Sequence, residues 1–241
     1  NNEIGTIQPV SQIGEICKKN NVLFFVDACQ TYGKLEIDIN KMNIDLLATT
    51  AHKLYGPKGV GFLYVRQKNP KVNIEMQIDG GGHEKGLRSG TLPVPLIVGF
   101  GRAAEISLKK RESEYNILKN LRDSLFRGIK NQQPDVIVNG NIKSGLSHNL
   151  NLCFPGLDSE SLIMKMKGIA CSAGSACSSA NLEPSHVIKA LGRNNELALS
   201  AIRFSVGRFN TIEEIDSAVI EINSAVNRIK SSKQKRRRTK F

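Results

Sequence analysis

Apolar positions along this chain change period several times. Val10, Ile13, Ile16 and Cys17 recur at helical spacing and predict a first helix. Residues 22–26, VLFFV, form a short apolar run that ends at Asp27. Such a run predicts a strand buried on both faces of a parallel sheet. Residues 44–49 and 60–65 predict two more strands. A Gly-rich loop follows at 79–93, carrying His83, Arg88, Ser89 and Thr91. A long helical pattern then spans about 95–130. Beyond it, 136–138 and 149–154 predict strands and 158–167 a helix. A loop of small residues covers 171–180 (CSAGSACSSA), and 199–206 predicts another strand. The last helix is the clearest element. Ile212, Ile215, Val219, Ile222, Val226 and Ile229 alternate steps of three and four, and Thr211 with Glu214 makes a capping box ahead of them.

The alternation of strands and helices predicts an α/β fold in two parts. Residues 1–107 would belong to a doubly wound domain with a mainly parallel sheet. Residues 108–230 would form a smaller α/β domain, and 231–241 an unstructured basic tail. The boundary falls inside the long helix.

Composition narrows the class. At 241 residues the chain is long enough to bury a substantial core. No apolar run approaches the ~20 residues of a membrane span, so no membrane partner is expected. The chain opens Asn1-Asn2-Glu3 without Met, which suggests a fragment or a processed chain. Its five cysteines are odd in number, irregularly spaced and free of any C-x-x-C pair. That argues against a disulfide framework or structural zinc, and for a reducing compartment. Of the net charge of +12, eight units come from basic residues between Arg228 and Lys240, leaving +4 for residues 1–227. The body is therefore only mildly basic. The tail reads as a solvated terminus rather than a nucleic-acid site.

Four constellations carry candidate chemistry. Asp27 ends a strand, with Gln30 three residues on. In open α/β sheets ligands bind outside the carboxyl ends of strands, where this carboxylate could pair with a protonated ring nitrogen. Taken alone it reads better as a helix N-cap or a surface acid. Thr50, His52 and Lys53 follow an apolar strand and precede the turn Tyr55-Gly56-Pro57-Lys58-Gly59. The lysine could form a Schiff base with an aldehyde cofactor while Thr50 and His52 hold a phosphate, although spacing alone favours an ordinary surface lysine. The glycines are not arranged as in a Walker loop. Cys177 sits among small residues in a loop whose composition predicts mobility and an exposed thiol, which suits a reactive cysteine and equally a small-residue turn with an incidental one. Cys17, Cys29, Cys153 and Cys171 read as structural. Arg203, amid Ala201-Ile202-Arg203-Phe204-Ser205, needs an anionic partner, either a structural acid or a substrate carboxylate. Together these are the parts of a pyridoxal-phosphate (PLP) enzyme acting on an amino acid.

Several motifs, in order and spacing, resemble the cysteine desulfurases of the NifS/IscS type. In the first half they are Asn1-Asn2-Glu3-Ile4-Gly5, Val26-Asp27-Ala28, Ala51-His52-Lys53, Gly80-Gly81-Gly82-His83-Glu84 and Arg88-Ser89-Gly90-Thr91. In the second half they are Gly174-Ser175-Ala176-Cys177, Leu182-Glu183-Pro184-Ser185 and Ile202-Arg203-Phe204-Ser205. The resemblance reaches about residue 230. It implies the type I fold of PLP-dependent transferases, here with a partial large domain lacking its N-terminal third.

The resemblance also implies roles. Lys53 would hold the cofactor, Asp27 would pair with its ring nitrogen, and Gln30 would bond its phenolic oxygen. Asn2 would contact cofactor or substrate. Thr50 and His52 would bind the phosphate, and Thr91 the phosphate of a partner subunit in a homodimer. Arg203 would bind the carboxylate of L-cysteine. Cys177 would take the sulfur as a persulfide, pass it to an iron–sulfur scaffold or a tRNA-thiolation acceptor, and serve as a transient iron–sulfur ligand there. The compartment implied is the bacterial cytoplasm or a mitochondrion-type organelle. Thr50-Ala51 stands where the family has Ser-Gly, and Phe25 where it often has His. A basic stretch replaces the usual scaffold-docking extension. On this reading the 241 residues alone would be inactive. The alternatives are a selenocysteine lyase or aminotransferase of the same superfamily, or a non-catalytic binding subunit. A transaminase has no need of Cys177, so that thiol discriminates against it.

Overall fold

A computed structural model describes residues 1–173 and 183–238, without the side chains of 234–238. The chain divides into two compact units, Gln8–Glu112 and a discontinuous one made of Asn1–Ile7 with Ser113–Phe241. Sequence pattern puts the boundary near 107. The packing division falls five residues later in the same helix, and the first seven residues belong with the second unit.

The first unit begins with α1 (Val10–Lys19), followed by β1 (Phe25–Asp27), β2 (Leu46–Thr50) and β3 (Gly61–Val65). These strands form one sheet in the order β1-β2-β3. β1 and β2 run parallel, with Asp27 opposite Ala48, and β3 returns antiparallel to β2. The parallel pairing predicted for this region is thus confined to one strand pair. The VLFFV run pairs only from Phe25, and Val22, Leu23 and Phe25 are exposed, so its burial on two faces is not met. A strand three residues long at a sheet edge has a neighbour on one side only. Ala28, Ile44 and Leu47 form the core of this sheet, with Val10, Phe24 and Tyr64 around it. Arg66 staples the β1–β2 connection. Its Nε lies 3.0 Å from Asp45, and Nη2 donates to the carbonyls of Ile39 and Ile44 at 2.7 and 2.8 Å. Asp45 in turn accepts from the Phe24 N–H at 3.0 Å. A buried pair with this many added hydrogen bonds offsets its desolvation.

The long helix α2 (Val94–Gln132) carries the chain from one unit into the other. The second unit continues with β4 (Ile137–Asn139), β5 (Asn149–Cys153), α3 (Ser159–Lys165) and β6 (Ser172–Ala173). It ends with α4 (His186–Ala190), α5 (Asn195–Leu199), β7 (Ala201–Ser205) and α6 (Ile212–Arg238). Its sheet is antiparallel throughout, in the order β4-β5-β7-β6. Leu150, Leu152, Ile202 and Phe204 from the sheet pack with Leu125 and Ile129 of α2 and Ile222 and Val226 of α6. The predicted capping box is present: Thr211 Oγ1 accepts from the Glu214 N–H at 3.3 Å, and Glu214 accepts from the Thr211 N–H at 3.1 Å. α6 also overruns its predicted end. The tail expected to be unstructured from 231 is helical through Arg238, because Lys, Gln and Arg are good helix formers and no Gly or Pro intervenes.

Gly128 sets the closeness of α2 to α6. A Cβ there would lie 2.6 Å from Val219 Cγ2, and the Gly128 carbonyl accepts from Asn223 Nδ2 at 3.3 Å. Gly128→Ala therefore destabilises the protein by about 1–3 kcal/mol through overpacking. The check is the denaturant midpoint, and adding Val219→Ala should restore part of the loss.

Candidate functional site

In the first unit the site is built at the carboxyl end of two parallel strands. Asp27 closes β1 and Thr50 closes β2. Parallel neighbours end at the same edge, so the carboxylate and the residues after Thr50 share one side of the sheet. A single 3₁₀ turn, Ala51–Leu54, follows β2 directly. Residues three apart eclipse in such a turn. Ala51 and Leu54 are fully buried against Phe100 and Ala103 of α2, and His52 and Lys53 are therefore the exposed pair. Tyr55 then takes a left-handed conformation (φ 66°), and the Gly56 N–H closes on the Ala51 carbonyl at 3.0 Å. A Cβ on Gly56 would meet that carbonyl and the Ala103 Cβ at 3.0 and 3.1 Å, so this close return needs glycine. Beneath the turn, Tyr32, Phe62 and Phe100 form an aromatic cluster with centroids 5.2–6.4 Å apart.

Thr50 Oγ1 and His52 Nδ1 lie 2.9 Å apart, a paired hydroxyl and imidazole on an exposed turn. Asp27 Oδ1 accepts from the Cys29 N–H at 2.8 Å. That bond, the Cys29 thiol and the nearby Lys53 ammonium hold the Asp27 carboxyl below its ordinary range. Asp27 is thus kept ionised, as a partner for a cationic ring nitrogen must be. Cys29 shows the reverse. Burial first, then the Asp27 carboxylate, push its thiol up to about 11. Lys34 completes the local field: burial, followed by repulsion from Lys53, brings its ammonium down to about 8. Gln30 is half-buried in the turn after β1. Thr91 is exposed in the loop before α2, just beyond the stretch where the Gly90 N–H donates to His83 Nδ1 at 3.3 Å. Among the described residues no hydrogen bond links Gln30 or Thr91 to Asp27, Thr50 or His52.

In the second unit Arg203 lies on β7, half-buried, opposite Ser172 of β6. Its Nη1 donates to the Asn2 carbonyl at 3.0 Å. The partner is a backbone oxygen rather than an acid, so the guanidinium charge is not neutralised by this bond. The same Asn2 carbonyl accepts from Asn149 Nδ2 at 3.3 Å, and the Glu3 carbonyl from Asn151 Nδ2 at 3.2 Å. Ser185 Oγ donates to the Glu3 carboxylate at 2.6 Å. Asn2 and Arg203 therefore meet within a network of Glu3, Asn149, Asn151 and Ser185, side chains to which the sequence assigned no role. Cys177 lies outside the described residues. The four described cysteines are free, and among the described residues no cluster of His, Cys, Asp and Glu could hold a metal. Cys153 and Cys171 are structural as predicted, packed in or against the core, with burial raising the Cys171 thiol to about 11. Cys29 is the exception, since it touches the Asp27 carboxylate.

The family model described as Aminotransferase class-V matches residues 1–218. Cysteine desulfurase IscS of Photorhabdus laumondii is 51% identical over 230 residues, which cover 95% of this chain and 56% of the relative. The mitosomal cysteine desulfurase of Trachipleistophora hominis is 50% identical over 234 residues, covering 95% and 53%. A solved NifS-like protein matches with a TM-score of 0.84 at 36% identity, covering 94% of this chain and 59% of that one. The NifS-like protein of Rickettsia africae matches with a TM-score of 0.83 at 28% identity, covering 94% and 60%. The chain thus has the NifS-like fold of PLP-dependent transferases, and spans about half the length of the curated relatives it matches.

The thiol shifts give a direct test. With a pKa of about 11, Cys29 and Cys171 are thiolates to about one part in a thousand at pH 8, so iodoacetamide should label them on the order of 100-fold more slowly than free cysteine. Mass spectrometry of the labelled peptides reads this. Asp27→Asn removes a carboxylate that opposes the Cys29 thiolate and should speed labelling at Cys29 while leaving Cys171 unchanged.

Proposed function

Because the chain belongs to the aminotransferase class-V family, we propose that it is the greater part of a cysteine desulfurase that takes sulfur from L-cysteine onto Cys177. One observation carries the reading. The parallel register of β1 and β2 brings an ionised carboxylate, a hydroxyl–imidazole pair and a lysine to one edge of a sheet. These groups fit pyridoxal phosphate point for point. Asp27 suits its ring nitrogen, Gln30 the neighbouring ring oxygen, Thr50 and His52 the phosphate, and Lys53 the aldehyde. When bound, the cofactor supplies an electron sink for the pair left at the substrate Cα.

The chain's own residues do the rest. Arg203 receives the carboxylate of L-cysteine through its planar fork, and Asn2 contacts the substrate beside it. Lys53, which would hold the cofactor, would also carry protons on and off the substrate carbons. The Cys177 thiolate attacks the substrate sulfur. One S–S bond forms, the Cβ–S bond breaks, and Cβ takes a proton to become the methyl of alanine. The carbon is reduced and the sulfur oxidised, so the step needs no external oxidant. The persulfide then passes to an acceptor, an iron–sulfur scaffold or a thiolation relay, with Cys177 free to act as a transient ligand there. Thr91, exposed in its loop, suits the phosphate of a partner subunit in a homodimer. The relatives are bacterial and mitosomal, which supports a bacterial cytoplasm or a mitochondrion-derived organelle. No helix among the described residues is long and apolar enough to cross a membrane.

The intact protein with added pyridoxal phosphate tests this. It should show the absorbance of lysine-bound cofactor, lost in Lys53→Ala. L-cysteine should yield alanine and a persulfide on Cys177, with alanine formation down on the order of a thousandfold or more in Cys177→Ser. Full alanine formation in Cys177→Ser would overturn the desulfurase in favour of a lyase or aminotransferase. Absence of the cofactor band from folded protein would leave a binding subunit.

A further inference from the structure

Glu3 is 9% exposed, and its carboxylate accepts from Ser185 Oγ at 2.6 Å. No cation pairs with it among the described residues. Taking a carboxylate out of water is expensive, and one strong hydroxyl donor offsets only part of the cost. The bond is specific. Ser185 Oγ already accepts from the N–H groups of Val187 and Ile188 at 3.2 and 3.3 Å, capping α4. Its single hydrogen is committed to Glu3. The residue before Glu3 supplies the carbonyl that holds Arg203 Nη1. Nε and Nη2 of Arg203 have no hydrogen-bond partner among the described residues, and they form the side-on edge that grips a carboxylate bidentately.

We propose that Glu3 is a positioning residue for Arg203: anchored by Ser185, it fixes the Asn2 carbonyl and so aims the Nε–Nη2 edge at the substrate carboxylate. This rests on the role given to Arg203 above. Glu3 itself touches neither substrate nor cofactor. It acts through one peptide unit and one hydrogen bond, over a sequence separation of 182 residues to Ser185 and 201 from Asn2 to Arg203.

The test is ligand binding in the intact, cofactor-loaded protein, using L-alanine and ethylamine, which is alanine without its carboxylate. Both are read from the change in cofactor absorbance. Glu3→Ala should weaken alanine about five- to tenfold, the worth of one oriented hydrogen bond, and leave ethylamine unchanged. Glu3→Gln keeps an acceptor for Ser185 and should bind alanine like the parent. Glu3→Asp is one methylene too short to reach Ser185, and gives the same comparison as Glu3→Ala in a chain that keeps the charge. Equal weakening of alanine and ethylamine would mean a merely structural role and overturn the inference. So would unchanged alanine binding in Glu3→Ala where Arg203→Ala binds alanine poorly. Unchanged alanine binding in Arg203→Ala would instead remove Arg203 from the carboxylate, and the inference with it.

Discussion

The burial of Ala51 and Leu54 is the constraint on which the first unit's chemistry depends. A four-residue 3₁₀ turn has little stability of its own. Two fully buried side chains against α2 hold it, and their spacing of three turns the intervening His52 and Lys53 outward. A one-residue slip would bury a lysine and expose a leucine. The aromatic cluster below and the glycine at 56 serve the same end, since both let the chain return tightly onto α2. The site's polar groups are thus placed by apolar packing.

Electrostatics at this sheet edge follow from that placement. Asp27 is stabilised as an anion by an N–H two residues on and by Lys53. Burial first, and then the same carboxylate, raise the Cys29 thiol, so the cysteine nearest the edge is disfavoured as a thiolate. The linkage has a definite sign. A carboxyl whose pKa is depressed on folding adds stability that is present above its unfolded value and lost as pH falls through the folded one. The Asp27 contribution therefore fades only in acid, and persists across the range where amino acids bring a protonated amine and an ionised carboxylate.

Periodicity made the long elements legible, α2 and α6 above all, because each repeats its apolar spacing over several turns. It also placed Asp27 at a strand end, Lys53 just after a strand and Arg203 within one. It missed β6, α4 and α5, which are two to five residues long and complete no period. It overrated the 22–26 run, where apolar composition cannot distinguish a central strand from an exposed edge. Glu3 and Ser185 stand in motifs that the sequence offers, but their pairing was not legible, for another reason. Each resembles an ordinary surface polar residue until the fold closes a sequence separation of 182, and only then does one become a buried carboxylate and the other its donor. Asn149 and Asn151 alternate on β5 with leucines, a pattern that local reading assigns to a half-exposed strand, whereas every residue of β5 is buried.

The affiliation of Asn1–Ile7 with Ser113–Phe241 has a consequence for how the polypeptide is made. Chains emerge from the ribosome in order, N-terminal end first. The segment holding Asn2 and Glu3 emerges long before Asn149, Asn151, Ser185 and Arg203, its hydrogen-bonding partners. The intervening unit, Gln8–Glu112, has its own core and its own sheet, and can form while those seven residues are still without their partners. Completion of the second unit then waits on a late closure of very long loops, the kind of contact that slows folding most. The arginine of the candidate site gains its backbone anchor only at that closure, so its final orientation is among the last features of this molecule to mature.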